Sequence, residues 1–289
     1  MKNILLWFKI IRPQTLFASL CPVLVALMVV HLQGYALHGW VAAATALCAL
    51  ALQVLSNLIN DYYDFRRGTD QKGRVGFKRA LAEGLVSERQ MLTACLITLA
   101  IALLLGLYLV LVGGWVILLI GVMAIVFAWL YTATNHSLSY LGIADIFVFL
   151  FYGIIAGWGT GYLQVAPQPC PVSLTRTLLW ASAVNGLISN CVLIINNLRD
   201  RETDLQAGKR TFPVRFGKRA GEVGMALVVL LMPLCAWMAF RQWVPCLIIL
   251  PAVALLVCTL RATGAQYNKC LLGAGLVNIC YVLLVILKI

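Results

Sequence analysis

Charged residues are scarce in this 289-residue chain, which has only ten acidic side chains and three histidines. Charged residues make up 11% of the sequence, well below the roughly 25% of an ordinary soluble domain. Hydrophobic residues make up 62%, and the mean hydropathy is +0.94. Apolar runs near the roughly 20 residues needed to cross a bilayer recur from end to end. This pattern excludes a soluble globule, and we expect one membrane domain over residues 1–289.

Two familiar sequence signals are also missing. The apolar run after Lys2, Lys9 and Arg12 lacks the small-residue cleavage site of a signal peptide, so we expect a retained first helix. The ten cysteines form no CxxC motif and no Cys/His pair at the spacing of metal ligands, and most lie within apolar runs. We therefore interpret the cysteines as small packing residues.

Apolar continuity, compared with the positions of glycine, proline and charge, predicts an all-α bundle of nine transmembrane helices around a central cavity. The predicted spans are 14–32, 38–60, 92–112, 115–133, 141–163, 178–197, 223–240, 243–262 and 270–288. Of the 22 basic residues, 19 fall on one side of this topology. The positive-inside rule then predicts a cytoplasmic N-terminus and an outward C-terminus in the bacterial inner membrane. Anionic lipid is a better partner for these basic loops than nucleic acid.

Nine of the ten acidic residues lie in two predicted cytoplasmic connections, and this concentration is the most informative feature of the sequence. In the first connection, spacings of three and four place polar residues on one helix face at the end of the second span. This polar stripe consists of Gln53, Asn57, Asn60 or Asp61, and Asp64. Because its amides extend back into an apolar helix, the stripe favours a functional site over a solvated loop.

A second polar stripe, with Asn197, Asp200 and Asp204, lies at the end of the sixth span. Four crossings separate the two spans, so both stripes end on the same side of the membrane. A basic stretch that contains glycine follows each stripe, which suggests a parallel internal duplication with the site between its halves. Carboxylates on two neighbouring helices provide the oxygen ligands that hold Mg²⁺ together with water and substrate phosphate.

Basic residues follow each stripe closely enough to share the charge of a bound diphosphate with the metal. The best candidates are Lys78 and Arg79 in the first connection and Lys209 and Arg210 in the second, with Arg79 and Lys209 ranked highest. The tenth acid, Asp145, lies near the start of the fifth span. A carboxylate is costly at that position unless it faces a polar interior.

A membrane transporter is the main alternative class, because polar stripes in helices also line ion paths. Against this alternative, the acids cluster at one face of the membrane, and charges near the middle of several spans are missing from the sequence. A purely structural membrane subunit would leave the paired aspartate stripes unexplained.

The two stripes resemble the aspartate-rich motifs of the UbiA superfamily of intramembrane aromatic prenyltransferases, and the resemblance spans essentially the whole chain. The first motif is similar to NDYYDFRRGTD at 60–70, and the second to NLRDRETD at 197–204. The phrases SNLINDYYDFRRGTD, KRALAEGLVS and NNLRDRETDLQAGKRTFPVRFG are most similar to the branch that prenylates 1,4-dihydroxy-2-naphthoate in menaquinone synthesis. The RTxxRP-like run typical of the 4-hydroxybenzoate branch is absent from this sequence.

The resemblance implies ionisation of a polyprenyl diphosphate and capture of the allylic cation by the naphthoate ring, with loss of CO2, to give demethylmenaquinone. It implies Mg²⁺ as the cofactor. The implied metal ligands are Asp61, Asp64, Asp70, Asp200 and Asp204, of which Asp70 is the least direct. Prenylation of a different aromatic acceptor by the same superfamily is the runner-up.

The resemblance also implies roles for residues outside the metal site. Asp145 would orient the acceptor or accept a proton, and a structural hydrogen bond to a neighbouring helix is an equal alternative. Tyr131 would line a membrane-embedded cavity that shields the allylic cation from water. The implied substrate-binding residues are Asn57, Asn60, Lys78, Arg79, Asn197, Lys209, Arg210 and Tyr131.

Overall fold

The structure is a computed structural model that describes residues 2–66, 68, 79–132 and 142–287, with the backbone alone at 2–4, 128–129 and 131–132. Within these ranges every regular element is a helix, which confirms the predicted all-α class for the described residues.

Eight of the described helices are long and apolar enough to cross a membrane. They are α2 (Pro13–Leu32), α3 (Gly39–Arg66), α4 (Glu88–Thr132), α5 (Ala144–Val165), α6 (Val172–Arg199), α9 (Lys218–Phe240), α10 (Trp243–Arg261) and α11 (Gly264–Ile286). Three shorter helices are α1 (Lys2–Ile11), α7 (Arg201–Gln206) and α8 (Phe212–Phe216). The chain is therefore an integral membrane protein.

The difference from the nine predicted spans lies in α4, which covers the third and fourth of them. Its 45 residues would extend about 68 Å if the helix were straight, roughly twice the thickness of the hydrocarbon core. The backbone leaves helical geometry at Gly114, where φ is 66° and ψ is −153°. Glycine adopts positive φ without a steric penalty. As a result, α4 consists of two helical segments, 88–113 and 115–132.

The two segments of α4 pack against different helices. The first segment packs along α3. The junction lies beside the far end of α5, because the Tyr162 hydroxyl donates to the Gly113 carbonyl oxygen at 3.0 Å. In the second segment Phe127 stacks on Phe151, with 4.5 Å between the ring centroids. Phe151 precedes Tyr162 by about three helical turns, so the second segment runs back along α5.

The helix α6 forms the centre of the bundle and contacts α2, α5, α9 and α11. Its contact with α5 depends on two glycines. A Cβ atom added to Gly153 would lie 2.7 Å from the Cα atom of Gly186. Small residues allow helix backbones to approach this closely in membranes. The close contact aligns the polar face of α6 with the middle of α5, where one π-helical turn, Leu150–Ile155, interrupts the α-helix.

The N-terminal helix α1 was not among the predicted spans, which began at residue 14. It is amphipathic, with Ile10 buried against α3 while Leu5 and Phe8 are exposed. This pattern is typical of a helix that lies in the membrane interface. Arg12 separates α1 from α2 and has a left-handed backbone, with φ of 58°.

Gly186→Ala should destabilise the bundle, because the new Cβ would lie 2.7 Å from the Phe149 carbonyl oxygen. Overpacking of this kind costs about 1–3 kcal/mol, and we expect a lower melting temperature for the detergent-purified protein. Gly224→Ala is the matched control, since its Cβ would meet only Phe212 at 3.8 Å and alanine favours the helix. Equal melting temperatures for the two variants would contradict the proposed importance of the glycine contact.

Candidate active site

Four buried aspartates lie where α3 and α6 end on the same side of the bundle. Asp61 and Asp64 are 2% and 3% exposed, and Asp200 and Asp204 are each 7% exposed. The sequence placed the end of the second span at residue 60, but α3 continues to Arg66. The first two aspartates therefore lie on α3, about one turn apart, as the spacing of the polar stripe predicts.

Lys209 connects the two groups of aspartates. Its ammonium nitrogen lies 4.0 Å from Oδ1 of Asp64 on α3 and 3.8 Å from Oδ1 of Asp204 on α7. Two aspartates 140 positions apart in the sequence are thus held around one cation. The structure thereby brings together carboxylates from both sequence stripes.

Asp61 forms ion pairs with two guanidinium groups, those of Arg12 and Arg79. Arg79 also lies 3.8 Å from Oδ2 of Asp64. The sequence analysis assigned Arg12 only to the positive charge of the N-terminal arm and did not identify it as a site residue. A basic residue directly before the first span, on the same side as both aspartate stripes, was the available signal.

Asp200 is held by Arg199, which the sequence analysis also did not identify as a site residue. Arg199 donates from Nε and NH2 to the two carboxylate oxygens, each at 2.8 Å, and from NH1 to Asn268 at 2.9 Å. This bidentate geometry fixes the carboxylate plane as well as its position. Adjacent residues in sequence rarely pair in this way, so spacing alone gave no signal.

Among the described residues, four cations pair with the four aspartates: Arg12, Arg79, Arg199 and Lys209. A buried carboxylate without such a partner would cost several kcal/mol or would become protonated. These ion pairs therefore allow the aspartates to remain ionised at their buried positions.

The chemistry of the aspartates suits a hard divalent cation such as Mg²⁺, which prefers carboxylate oxygens. The carboxylates of Asp64 and Asp204 already stabilise a positive charge, that of the Lys209 ammonium group. Within the described ranges, no three carboxylate, imidazole or thiol groups converge as a completed metal site would, because guanidinium and ammonium groups stand between the aspartates. Asp70 lies outside the described residues.

The amides of the stripe extend deeper into the bundle. Asn57 is buried, and its Nδ2 donates to the Ile11 carbonyl oxygen at 3.0 Å and to Thr15 Oγ1 at 2.9 Å. These bonds attach α3 to the junction of α1 and α2. Asn60 and Asn197 are partly exposed near the aspartates of their helices.

A cavity of about 390 Å³ lies at the loop after α7, with Lys209, Arg210 and Arg215 among its lining residues. The loop that carries these cations packs on the start of α5, since a Cβ on Gly142 would lie 2.3 Å from the Arg210 carbonyl oxygen. Asp145 lies in the first turn of α5 and is partly buried. Three residues predicted from the sequence, Lys209, Arg210 and Asp145, therefore lie at this end of the bundle.

Two further candidates cannot be placed. Lys78 lies outside the described residues, and Tyr131 belongs to α4 but its side chain is outside the described part.

Comparison with known proteins identifies relatives over most of the chain. The model of the UbiA prenyltransferase family matches residues 19–269. A 1,4-dihydroxy-2-naphthoate octaprenyltransferase from Escherichia coli is 34% identical over 218 residues, which cover 73% of this chain and 68% of that protein. The protein of the same name from Haemophilus influenzae is 32% identical over 244 residues, covering 81% of this chain and 76% of that protein.

A solved structure has the same fold. It is a UbiA homologue from Archaeoglobus fulgidus bound to DMAPP and Mg²⁺, with a TM-score of 0.64 and 17% identity, and the match covers 97% of this chain and 98% of that one. The resemblance inferred from the two aspartate motifs is confirmed by the family match. The chain therefore belongs to the UbiA prenyltransferase family.

Proposed function

We propose that this protein transfers a polyprenyl chain from polyprenyl diphosphate to 1,4-dihydroxy-2-naphthoate in menaquinone synthesis, with loss of diphosphate and CO2. The names of the relatives from Escherichia coli and Haemophilus influenzae support the acceptor. The family match supports aromatic prenyl transfer. The observation that carries the proposal is the set of buried aspartates from α3, α6 and α7, with Lys209 between Asp64 and Asp204.

Asp61, Asp64, Asp200 and Asp204, together with Asp70, would hold Mg²⁺. Binding of Mg²⁺ and DMAPP by the Archaeoglobus fulgidus homologue supports this assignment, and so does the preference of Mg²⁺ for carboxylates and substrate phosphate. When bound, the metal would stabilise the negative charge that accumulates on the departing diphosphate.

Arg12, Arg79 and Lys209, with Lys78 and Arg210, would bind the diphosphate oxygens. The first three pair with aspartates in this structure. Once metal neutralises the carboxylates, their N–H groups can donate to phosphate, which guanidinium and ammonium groups bind well. Cationic metal and anionic diphosphate would arrive together, so the exchange would leave the buried charge balanced.

The allylic cation must meet the aromatic ring before it meets water, and a closed helical bundle provides that exclusion. Tyr152, partly buried on α5, and Tyr131 on α4 would stabilise the cation through their ring faces. Asp145, at the start of α5, would orient the acceptor or accept a proton.

The runner-up is prenyl transfer to a different aromatic acceptor within the same family. A transporter is the alternative from another class. The buried charges argue against a transporter. Among the described residues, the charged side chains that are fully buried are the four aspartates, and all lie at one end of the bundle. An ion path would require charged groups near the middle of several spans.

We also propose nine crossings, with the N-terminus and the active site cytoplasmic and the C-terminus outward in the bacterial inner membrane. The break at Gly114 supports this topology, because segments 88–113 and 115–132 are each close to the roughly 20 residues that one crossing needs. The excess of basic residues on one side supports the orientation.

The first test is prenyl transfer by detergent-purified protein, supplied with labelled polyprenyl diphosphate and either 1,4-dihydroxy-2-naphthoate or 4-hydroxybenzoate. We expect product from the naphthoate only, and no product after chelation of divalent metal. Product from 4-hydroxybenzoate alone would preserve the reaction but overturn the acceptor. No product from either ring, with intact protein and added lipid, would overturn the assignment.

Asp64→Asn should lower turnover by at least about 100-fold, because it removes a proposed metal ligand while nearly preserving side-chain shape. The same change would raise the Mg²⁺ concentration needed for half-maximal rate. Glu222→Gln is a suitable control, since Glu222 lies on α9 and pairs there with Lys218 at 3.5 Å, apart from the four aspartates. If Asp64→Asn retained wild-type activity, the proposed metal site would be wrong.

Reporter fusions test the number of crossings. With nine crossings, alkaline phosphatase fused to the C-terminus should be active and green fluorescent protein should be dark, because the C-terminus is outside. Fusions that end at Gly208 should give the reverse pattern. Eight crossings with a cytoplasmic N-terminus would make the C-terminal fluorescent fusion bright.

A further inference from the structure

The polar stripe of α3 extends past the aspartates to Gln53. This residue precedes Asp61 by eight positions, which is about 12 Å along a helix. Gln53 is only 7% exposed, and among the described residues its Oε1 has no hydrogen-bond partner. An unsatisfied buried carbonyl oxygen costs about 1–3 kcal/mol, so its position calls for an explanation.

A chain of hydrogen bonds fixes which end of the Gln53 amide is unsatisfied. The Thr15 hydroxyl donates to the Arg12 carbonyl oxygen at 2.9 Å, so it accepts the bond from Asn57 Nδ2. Asn57 Oδ1 is therefore the acceptor for Gln53 Nε2, which lies one turn earlier on α3, at 3.3 Å. The Thr15 hydroxyl orients the Asn57 amide, and the Asn57 amide in turn orients the Gln53 amide. Gln53 Oε1 is therefore a hydrogen-bond acceptor at the end of this series of bonds.

The surroundings of Gln53 are polar but uncharged. The Tyr152 hydroxyl interacts with the side chains of Ser56 and Gln53, and Tyr152 lies in the π-helical turn of α5. On α6, Asn190 also has a buried Oδ1 without a hydrogen-bond partner among the described residues. Asn190 lies one turn from Gly186, which packs against Gly153 beside Tyr152. Two buried carbonyl oxygens, on α3 and on α6, therefore lack a hydrogen-bond partner among the described residues.

A ligand group that reaches Gln53 must donate a hydrogen bond and carry no negative charge, because its carbonyl oxygen would repel a phosphate or carboxylate, whereas a hydroxyl group would satisfy it. Lys209 lies instead beside Asp64, about three helical turns along α3 from Gln53, where a cation suits an anionic group. This order of charged and neutral groups suits a ligand with a carboxylate at one end and a hydroxyl group at the other.

We infer that Gln53 Oε1 accepts a hydrogen bond from the acceptor hydroxyl group remote from the carboxylate, and so selects a dihydroxylated ring. This inference rests on the proposed prenyl transfer to 1,4-dihydroxy-2-naphthoate. The bond positions the ring below the diphosphate. Gln53 is thus a specificity-determining residue.

Gln53→Met tests the inference, because methionine retains the length of the side chain but cannot accept the bond. We compare KM for 1,4-dihydroxy-2-naphthoate with the inhibition constant of 1-hydroxy-2-naphthoate, which lacks the remote hydroxyl. Wild-type protein should prefer the dihydroxylated ring by about tenfold, the effect of one well-placed hydrogen bond. The variant should lose that preference, while KM for polyprenyl diphosphate stays within about twofold.

Gln164→Met is the matched control. Gln164 is also buried, at 2% exposure, but its Oε1 accepts the His38 N–H at 2.7 Å at the other end of α5. It should leave both acceptor constants unchanged. Gln53→Glu, which keeps an acceptor oxygen, should retain the preference and serves as the test if Gln53→Met does not fold.

A second readout is independent of turnover. In the presence of chelator and without diphosphate, the naphthoate should raise the melting temperature of wild-type protein more than that of Gln53→Met. An equal loss of affinity for both naphthoates, or no loss for either, would overturn the inference. Wild-type protein that does not prenylate the naphthoate at all would instead overturn the proposed function.

Discussion

Neutralisation of buried carboxylates is the constraint on which this structure depends. Four aspartates that are almost inaccessible to solvent lie at the end of an apolar bundle, and each must be paired to remain ionised there. The partners come from distant parts of the chain: the α1–α2 junction, the segment before α4, the end of α6 and the loop after α7. Ion pairing therefore fixes how these segments meet.

The same arrangement suits the proposed chemistry. In that proposal, the cations that pair with the aspartates would bind the diphosphate once metal occupied the carboxylates. Farther along α3, the amides of Asn57 and Gln53 are neutral polar groups. Charge thus decreases along α3 from the aspartates toward Gln53, and the proposed reaction would place the leaving group at the charged end and the ring at the neutral end.

Much of this arrangement was predictable from the sequence, because apolar length, basic asymmetry and two aspartate stripes each have a direct physical cause. The all-helical membrane fold followed from composition, and the family from the motifs around Asp61 and Asp200. Helix ends were less predictable, since polar residues such as those after position 60 continue α3 beyond the apolar run. Arg12 and Arg199 were not identified, because their roles depend on tertiary contact and on rotamer geometry, which spacing does not encode.

The left-handed residue between α1 and α2 has a structural consequence of its own. Arg12 directs its guanidinium group to Asp61, while the neighbouring Ile11 carbonyl oxygen and Thr15 hold Asn57. This short junction thus supplies a positive charge that pairs with Asp61 and the hydrogen-bond partners that orient the amide of Asn57. Residues 11–15 are therefore part of the candidate site, and this junction and the aspartate helices must be treated as a single cooperative unit whenever this protein is shortened, fused or redesigned.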